Sequence, residues 1–527
     1  MTQARLTRRT LLAGTAAVGA MGGTLGFTRR AFAQTPDKAL VVGHVAELQT
    51  LDPAQAVTIS DFRILCNIYD GLLRYKPASL DVEPGLAESW TVSPDGKTYT
   101  FALRKGIKFH DGSAFDADAV KFNFDRVLDP HHPFHDTGPF PFVFTLGPID
   151  HVSVADPHTV SIVMKEPYAP TLTMLAGAIG GLAGISPQAV KTFGKDFSRN
   201  GGGTGPFKLQ EWVTGQRVVL AANKDYHRGA PALDGLVFRP IVDENARVSE
   251  MQSGGTDITI EVPPDNIATF TASPDFTFYQ QPGPHLWYMV LNTKTKPFDD
   301  KRVRQAVNYA VNKPAMVTDI LKDTATVASS VTPPAFAWAY DAALKPYPYD
   351  PAKAKQLLAE AGYPNGLDVT FYVTESGSGM LSPVLMGTAI QADLAAVGIR
   401  AKIETYEWNT FLGKIIPAMP PEVAMAELSF MTQDPDMHPA LALRTGAAVN
   451  SGGYSNPKVD ALIDAGRTET DRDKRAAIYK QLQQVVYDDA PWVYVANWKQ
   501  NAVSSARVKG FELHPSFTTP FYGTSKA

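Results

Sequence analysis

Residues 85–126, GLAESWTVSPDGKTYTFALRKGIKFHDGSAFDADAVKFNFDR, contain the clearest structural pattern in the chain. Two segments rich in strand-forming residues, Glu88–Ser93 and Thr98–Arg104, are separated by Pro94-Asp95-Gly96. Proline restricts φ and glycine accepts positive φ, so this tripeptide suits a tight reversal of the chain. The pattern therefore predicts a β-hairpin.

The same stretch also predicts a strand with one apolar face and an amphipathic helix after it. Alternate residues of a strand point to the same side, and in the second strand they are apolar: Tyr99, Phe101 and Leu103. Asp116 is a suitable N-cap for the helix. Apolar residues then fall at i, i+4 and i+7 of that helix, at Val120, Phe124 and Val127.

The hairpin, the loop GIKFHDG at Gly106 and the helix DADAVKFNFDRV at Asp116 together resemble the signature of family 5 solute-binding proteins. These are the peptide-, nickel- and glutathione-type receptors of ABC importers. The resemblance continues along nearly the whole chain after residue 33. The further matching motifs are LDPA at Leu51, GTGPFKL at Gly203, LNT at Leu291, PFDDKRVRQAVNYA at Pro297 and GYSNPKVDALI at Gly453.

The resemblance implies a fold and a division of the chain. The fold class is α/β, with the two-lobed periplasmic-binding-protein (Venus-flytrap) architecture and an extra subdomain in the first lobe. Residues 34–285 and 495–527 are expected to form lobe I, with an inserted subdomain at about 55–195, and residues 286–494 are expected to form lobe II. A ligand would lie where the lobes meet.

The resemblance also implies a function. The protein would be the periplasmic substrate-binding component of an ABC import system and would capture a peptide or peptide-like small solute. Its partners would be that solute and the membrane subunits of the permease. It would be a monomer with no cofactor, no metal and no enzymatic activity. Two alternatives stay open, a periplasmic peptide chaperone or scavenger with the same fold and a secreted peptide hydrolase.

Size and charge agree with an exported protein of more than one core. A chain of 527 residues with 44% hydrophobic residues has enough apolar surface for at least two lobes. Residues 1–33 carry five arginines and no acid, so removing them takes the formal charge from −4 to −9. An acidic protein lacks the basic surface that binds a phosphate backbone, which argues against nucleic acid as a partner.

The N-terminus has the pattern of a signal peptide. Arg8 and Arg9 precede a mildly apolar run, and Ala31-Phe32-Ala33 offers a cleavage site before Gln34. We interpret residues 1–33 as a twin-arginine-type signal peptide, the alternative being a cytoplasmic protein with a basic start. The lone cysteine, Cys66, is far from the cleavage site and offers no lipid anchor there. The expected location is therefore a Gram-negative periplasm.

Motifs for catalysis are not found. The chain contains no Gly-x-Ser-x-Gly elbow, no Walker loop and no His-Glu-x-x-His helix. The glycine-rich segment Gly201–Pro206 is followed by a strand pattern rather than a helix, so it is interpreted as a structural turn. Cys66 falls on the apolar face of a helix predicted through Ile64, Ile68 and Leu72, which favours a buried thiol.

Three histidines, His131, His132 and His135, cluster in a loop rich in proline. A metal site is one interpretation of this cluster, and solvated side chains are the favoured one. Paired acids also occur, at Asp299-Asp300 and Asp488-Asp489, where each pair falls at the end of a predicted helix. Helix capping is the expected role of these acids.

An α/β unit is predicted from Asp350 onward. Asp350 is a candidate N-cap, Pro351 suits the first helical position and Gly362 ends the helix. The strand pattern at residues 367–373 is followed by a helix with apolar residues four apart and then by a second strand pattern at 399–403. A strand, a helix and a strand at this spacing indicate a parallel pair with a right-handed crossover.

The candidate binding residues come mainly from the segment LSFMTQDPD at Leu428. In peptide-binding relatives the matching segment commonly begins with tryptophan, and an acid three residues later pairs with the peptide's amino group. Here these positions are Leu428 and Met431, so selection of free N-termini is not expected. Asp434-Pro435-Asp436 matches the motif and is either structural or ligand-facing. The predicted ligand-binding residues are Trp287, Trp408, Phe430, Met431, Thr432, Gln433, Asp434 and Tyr454.

Overall fold

The computed structural model describes residues 38–141, 143–377 and 379–527, which belong to one compact unit. The predicted signal peptide, with Arg8, Arg9, Ala33 and Gln34, lies outside the described residues. No helix in the described part of the chain has the length and apolar character needed to cross a bilayer.

Twenty strands are present among the described residues. They are β1 Ala39–His44, β2 Leu73–Tyr75, β3 Val82–Pro84, β4 Ala87–Val92, β5 Thr98–Leu103, β6 Ile149–Asp156, β7 Thr159–Met164, β8 Phe207–Val213, β9 Arg217–Ala222, β10 Gly235–Pro240, β11 Ile258–Ile260, β12 Phe276–Pro282, β13 His285–Leu291, β14 Ala325–Val327, β15 Leu367–Thr374, β16 Ile399–Tyr406, β17 Met425–Met431, β18 Trp492–Ser505, β19 Val508–Lys509 and β20 Ser525–Lys526.

Fifteen α-helices are present in the same ranges. They are α1 Ile59–Leu65, α2 Ala117–Leu128, α3 Thr171–Ala176, α4 Pro187–Phe193, α5 Phe197–Asn200, α6 Glu244–Ser253, α7 Ile267–Thr271, α8 Lys301–Ala310, α9 Lys313–Ala315, α10 Pro351–Glu360, α11 Pro383–Ala396, α12 Trp408–Ile415, α13 Met437–Ala442, α14 Pro457–Thr468 and α15 Arg472–Asp489. Short 3₁₀ turns lie between several of them, and one π-helical turn, Met316–Ile320, follows α9.

The largest sheet has twelve strands and extends across both halves of the structure. Its order is β16-β15-β17-β13-β18-β11-β1-β10-β9-β8, and β12 and β14 pair with β18 beside this path. A separate four-stranded sheet has the order β4-β5-β7-β6. One large apolar core uses residues 40–260 and 502–521, and two others use residues 286–496. The sheet thus connects two regions that have separate cores.

Two passages of the chain connect these regions. β12 ends at Pro282 and β13 begins at His285, so the first passage is very short. β18 makes the second passage without interruption: its N-terminal part pairs with β13 and β14, and its C-terminal part pairs with β12 and β11. The backbone hydrogen bonds of one strand therefore belong to both regions.

The predicted hairpin and helix are confirmed. β4 and β5 pair antiparallel across a turn in which Gly96 has φ +70°, a conformation that favours glycine. Asp116 caps α2 by accepting a hydrogen bond from the backbone N–H of Ala119 at 2.9 Å. The predicted apolar faces are buried, namely Tyr99, Phe101 and Leu103 on β5 and Val120, Phe124 and Val127 on α2.

The α/β unit after Asp350 is also confirmed. Asp350 accepts a hydrogen bond from the N–H of Lys353 at 2.9 Å, and Gly362 follows α10 with φ +94°. β15 and β16 pair in parallel, with Leu367 opposite Ile399, and α11 provides the crossover. Because side chains four apart lie on one helical face, Met386, Ile390 and Leu394 all pack into the core.

Two local predictions are wrong. The helix expected through Ile64, Ile68 and Leu72 ends at Leu65, and Cys66 is its C-cap residue. Asp300 caps α8 as expected, but Asp489 lies at the C-terminal end of α15, where there are no free N–H groups to cap. Its carboxylate accepts a hydrogen bond from the Tyr454 hydroxyl instead, at 2.6 Å.

A buried ion pair joins two of the sequence motifs. Arg126, from the helix motif, donates to Asp52, from LDPA, through Nη1 to Oδ2 at 2.9 Å and through Nη2 to Oδ1 at 3.0 Å. Both side chains are 0% exposed. Arg126 also donates to the hydroxyl of Thr137 at 3.2 Å. The ion pair therefore fixes the segment that precedes α1 against the C-terminal part of α2.

Arg126→Met should lower the free energy of unfolding by about 3 to 5 kcal/mol, because it leaves the Asp52 carboxylate buried without its cation. Urea unfolding monitored by circular dichroism measures the change. Lys121→Met is the control on the same helix: it removes a partly exposed pair with Asp125 and a hydrogen bond to the backbone oxygen of Val152, and should cost about 1 kcal/mol or less. Equal stabilities of the two variants would contradict the role given to the buried pair.

Candidate functional site

A cavity of about 180 Å³ lies between the two core regions. One wall is formed by residues between Pro53 and Gly85, by the 176–181 segment, by residues 206–228 and by the C-terminal segment 514–522. Met431 and Gln433, at the end of β17, contribute to the lining from the other region. The cavity is therefore lined by both halves of the structure.

Asp70 organises the first wall. It accepts hydrogen bonds from the hydroxyls of Tyr226, at 2.9 Å, and Thr204, at 3.0 Å, and His227 Nε2 lies 3.6 Å from the carboxylate. Burial alone would raise the pKa of Asp70, but His227, Tyr226 and Thr204 hold that pKa below its usual value. Asp70 is therefore a fixed anion that positions the 226–228 segment.

Two arginines and the C-terminal segment complete this wall. Arg74 and Arg228 both line the cavity, with His514, Ser516 and Tyr522. The guanidinium of Arg228 lies 4.7 Å from the centre of the Tyr522 ring. The first wall thus offers positive charge next to aromatic and hydroxyl groups.

Cys66 also lines the cavity, and its chemistry is that of a thiol. Burial raises the pKa of Cys66 to about 12, so the thiolate is not populated near neutral pH. The Sγ–H group donates to the backbone oxygen of Arg63 at 3.4 Å. Cys66 therefore has the properties of a packing residue, although it lies at a helix end rather than within the predicted helix.

The second wall comes from the predicted binding segment. Met431 is the last residue of β17, and Gln433 follows it against Gly177 of the first region. A Cβ added at Gly177 would overlap the side-chain amide of Gln433. The glycine therefore permits a close approach between the two regions, at a position where its own φ of −79° is available to any residue.

The other predicted binding residues do not line this cavity. Trp287 and Tyr454 are buried in the cores of the second region, and Trp408 is partly buried against Phe411. Phe430 stacks on His438, with ring centres 4.6 Å apart. Of the eight predicted residues, Met431 and Gln433 line the cavity; the remaining six are Trp287, Trp408, Phe430, Thr432, Asp434 and Tyr454.

Asp434 belongs to a buried ion pair next to the cavity. Its carboxylate pairs with Arg475 through two bonds, one of 3.1 Å and one of 2.5 Å, and Thr173 Oγ1 of the first region lies 3.0 Å from it. Thr432 is also buried, and its N–H donates to the backbone oxygen of Pro284 at 2.9 Å. These bonds fix the backbone that carries Met431 and Gln433.

Further polar contacts join the two regions beside this pair. The N–H of Ala169 donates to the backbone oxygen of Arg467 at 2.7 Å, and the Arg467 guanidinium lies 5.5 Å from the Tyr168 ring. Arg472 forms an exposed ion pair with Asp81 at 2.8 Å. The structure is therefore in an arrangement in which the two regions are in direct contact.

The three histidines of the loop, His131, His132 and His135, do not converge on a common point; two of them contact neighbouring protein groups. His135 Nδ1 lies 3.0 Å from the backbone oxygen of Arg126, and the His132 ring packs edge-on against Phe122. These two rings are half-buried rather than solvated, whereas His131 is exposed. No group of three or more potential ligands is placed to hold a metal ion in residues 38–141, 143–377 and 379–527.

Sequence reasoning missed most of the first wall. Asp70, Arg74, Tyr226, Arg228 and Tyr522 were not among the predicted residues. Asp70 and Arg228 are far apart in the sequence, and no local periodicity or known spacing relates them. The one available signal was the C-terminal segment, because the family resemblance implies that residues 495–527 belong to lobe I.

Two α/β regions joined by short crossings, with a cavity between them, define the class of two-lobed solute receptors. The family model for bacterial extracellular solute-binding proteins, family 5 (Middle), matches residues 81–450. The chain belongs to this family, whose members are periplasmic solute-binding proteins of ABC importers. The family prediction and the α/β, two-lobed fold class are thereby confirmed.

Similar proteins cover nearly the whole chain. It is 34% identical over 477 residues to heme-binding protein A of Haemophilus influenzae, across 87% of this chain and 86% of that protein. It is 32% identical over 518 residues to di/tripeptide-binding protein 2 of Pseudomonas aeruginosa, across 94% and 96%. The solved structure of HbpA2 from Haemophilus parasuis matches with a TM-score of 0.84 at 30% identity, across 93% of this chain and 100% of that one.

Protonation of His285 should make stability depend on pH. Its Nε2 lies 2.9 Å from the backbone oxygen of Gly379. In the sheet, His285 is the first residue of β13 and pairs with Met431 of β17. Burial lowers the pKa of His285 from 6.5 to about 4. Between these values the unfolded chain binds more protons than the folded one, so the stabilisation present above pH 6.5 is lost as the pH falls towards 4.

His285→Gln keeps an N–H donor for Gly379 and should reduce the loss of unfolding free energy between about pH 7 and pH 4.5 by roughly 2 to 3 kcal/mol. Urea unfolding at the two pH values gives this difference. His151 is exposed, so the control variant His151→Gln should show the same dependence of unfolding free energy on pH as the unaltered protein. A profile of His285→Gln as steep as that of His151→Gln would refute this assignment.

Proposed function

We propose that this protein is the periplasmic substrate-binding component of an ABC importer that captures a peptide or peptide-like small solute. The solute lies in the cavity between the lobes, and the loaded protein delivers it to the membrane permease. The protein acts as a monomer and does not change the bonds of the solute. Support comes from the cavity itself, which has lining residues from both regions, and from the resemblance to a protein named for di- and tripeptides.

In this proposal, residues 34–285 and 495–527 form lobe I, with the subdomain at about 55–195, and residues 286–494 form lobe II. The two separate cores and the short passage between Pro282 and His285 support this division. Closure of the lobes is the functional motion.

Export is the second part of the proposal. Residues 1–33 act as a twin-arginine-type signal peptide, recognised through Arg8 and Arg9 and cleaved between Ala33 and Gln34. Delivery to the periplasm is supported by the location of the family.

Capture works by differential binding. A solute that contacts both lobes favours the closed form, whereas a solute that contacts one lobe shifts nothing. Met431 and Gln433 are the contacts from lobe II, and the wall around Asp70 supplies those from lobe I. Thr432, Asp434 and Phe430 support the strand end behind these contacts. Trp287, Trp408 and Tyr454 stabilise the lobe that carries it.

Binding should be detectable with a defined panel. Calorimetry and tryptophan fluorescence against di- to hexapeptides, glutathione, opines and nickel chelates should show one class binding near micromolar Kd, about −8 kcal/mol. A folded protein that binds no member of the panel would contradict the proposed function.

Gly177→Leu should separate binding from folding. The new side chain would occupy the space of the Gln433 amide, so closure over a solute is obstructed and affinity should fall at least about tenfold, or 1.4 kcal/mol. The free energy of unfolding should change by about 1 kcal/mol or less, since no core group is removed. Calorimetry and urea unfolding give the two quantities.

Gly413→Leu is the matched control, because a Cβ there meets no atom within 4 Å. Gly413 is an exposed position of helix α12, and the variant should bind like the unaltered protein. Unchanged affinity of Gly177→Leu would show that the solute is bound elsewhere.

A further inference from the structure

Arg74 and Arg228 lie where the solute cavity meets a second cavity of about 280 Å³. Both residues line both cavities. The second cavity is also lined by Arg104, Lys105 and Glu88. Four cations and one carboxylate therefore line a space next to the solute cavity.

Arg228 is held in place by aromatic groups. Its guanidinium lies 4.7 Å from the centre of the Tyr522 ring, and the Tyr522 hydroxyl donates to the backbone oxygen of Arg228. Tyr522 packs edge-on against Tyr226, with ring centres 5.1 Å apart. Among the residues that the structure describes, Arg228 forms no ion pair with a carboxylate. Its charge is therefore preorganised and available.

Arg74 is only partly compensated. Its Nη2 pairs with Glu83 at 2.6 Å, and its Nε donates to the backbone oxygen of Pro84 at 3.3 Å. Burial and the nearby positive charge of Arg228 lower the pKa of Arg74, against the opposing effects of Glu83 and Asp70. An anion between the two guanidiniums would relieve this repulsion.

Asp70 lies near enough for its charge to act on Arg74, but it does not bridge the two arginines by an ion pair. The carboxylate of Asp70 already accepts from Tyr226 and Thr204 and lies beside His227. On the opposite wall, Met431 and Gln433 are uncharged. The cavity thus has positive charge at one end, from Arg74 and Arg228, and the neutral side chains of Met431 and Gln433 at the other.

We propose that Arg74 and Arg228 bind a carboxylate of the transported solute. Guanidinium groups match carboxylates by bidentate, charge-assisted hydrogen bonds. The solute class is then a peptide or amino-acid conjugate that is recognised by an acidic group rather than by its amino group. This inference rests on the proposed function and adds the chemistry of recognition to it.

The test uses calorimetry with di- and tripeptides that have free C-terminal carboxylates and with the same peptides as C-terminal amides. The unaltered protein should bind its preferred acids about 10- to 100-fold more tightly than their amides. Arg74→Gln and Arg228→Gln should each weaken binding of the acids by about the same factor, while Arg228→Lys loses less.

Arg400→Gln is the control for loss of one positive charge, because Arg400 forms an exposed ion pair with Asp368 across strands β15 and β16. It should leave every affinity unchanged. An amide of a peptide with an acidic side chain that still binds tightly, and still depends on Arg228, assigns the carboxylate to that side chain.

The outcomes separate the two claims. If peptides bind but amides equal acids and both glutamine variants keep affinities within about twofold, the carboxylate site is wrong and the proposed function stands. If neither these peptides nor the glutathione, opines and nickel chelates of the wider panel bind, the proposed function fails and this inference fails with it. The melting temperatures of the unliganded variants verify that they fold. If a variant does not fold, the comparison of acids with amides on the unaltered protein still tests the carboxylate site.

Discussion

Strand β18 connects the two regions by hydrogen bonds that belong to both, and the position of the cavity depends on this constraint. Its first half pairs with β13 and β14, and its second half pairs with β11 and β12. Because β18 is continuous, the two regions cannot separate without breaking the backbone hydrogen bonds of one of these strand pairs. In the proposed function, closure of the lobes is then expected to occur by bending near Pro282–His285 and along β18.

The contacts between the lobes are both apolar and polar: Leu80 of lobe I packs against the cluster of Phe336, Ala339 and Tyr479 in lobe II, and several polar contacts lie nearby. An exposed ion pair such as Arg472 and Asp81 contributes about 0 to 1 kcal/mol. The stronger pair, Asp434 with Arg475, lies within lobe II and only its hydrogen bond to Thr173 crosses between the lobes. In the proposed function, a solute that contacts both lobes supplies the difference in free energy that favours the closed form.

Local structure was largely predictable, because turns, caps and faces are determined by neighbouring residues. The reversal at Gly96, the caps at Asp116 and Asp350 and the crossover after β15 all follow from such patterns. The cavity was not predictable in this way. Trp287 is 0% exposed because β13 lies between β17 and β18, and sequence cannot place a strand at the centre of a sheet. Arg74 and Arg228 meet only through the tertiary fold.

Hydrogen exchange of the protein with and without a bound peptide tests the central claim, that the solute is gripped by both lobes, most directly. The account predicts that slower exchange appears together in two places, in segments around residues 67–75 and 514–522 of lobe I and around residues 429–434 of lobe II. Slower exchange in one lobe alone, with the other unchanged at saturating peptide, would contradict it.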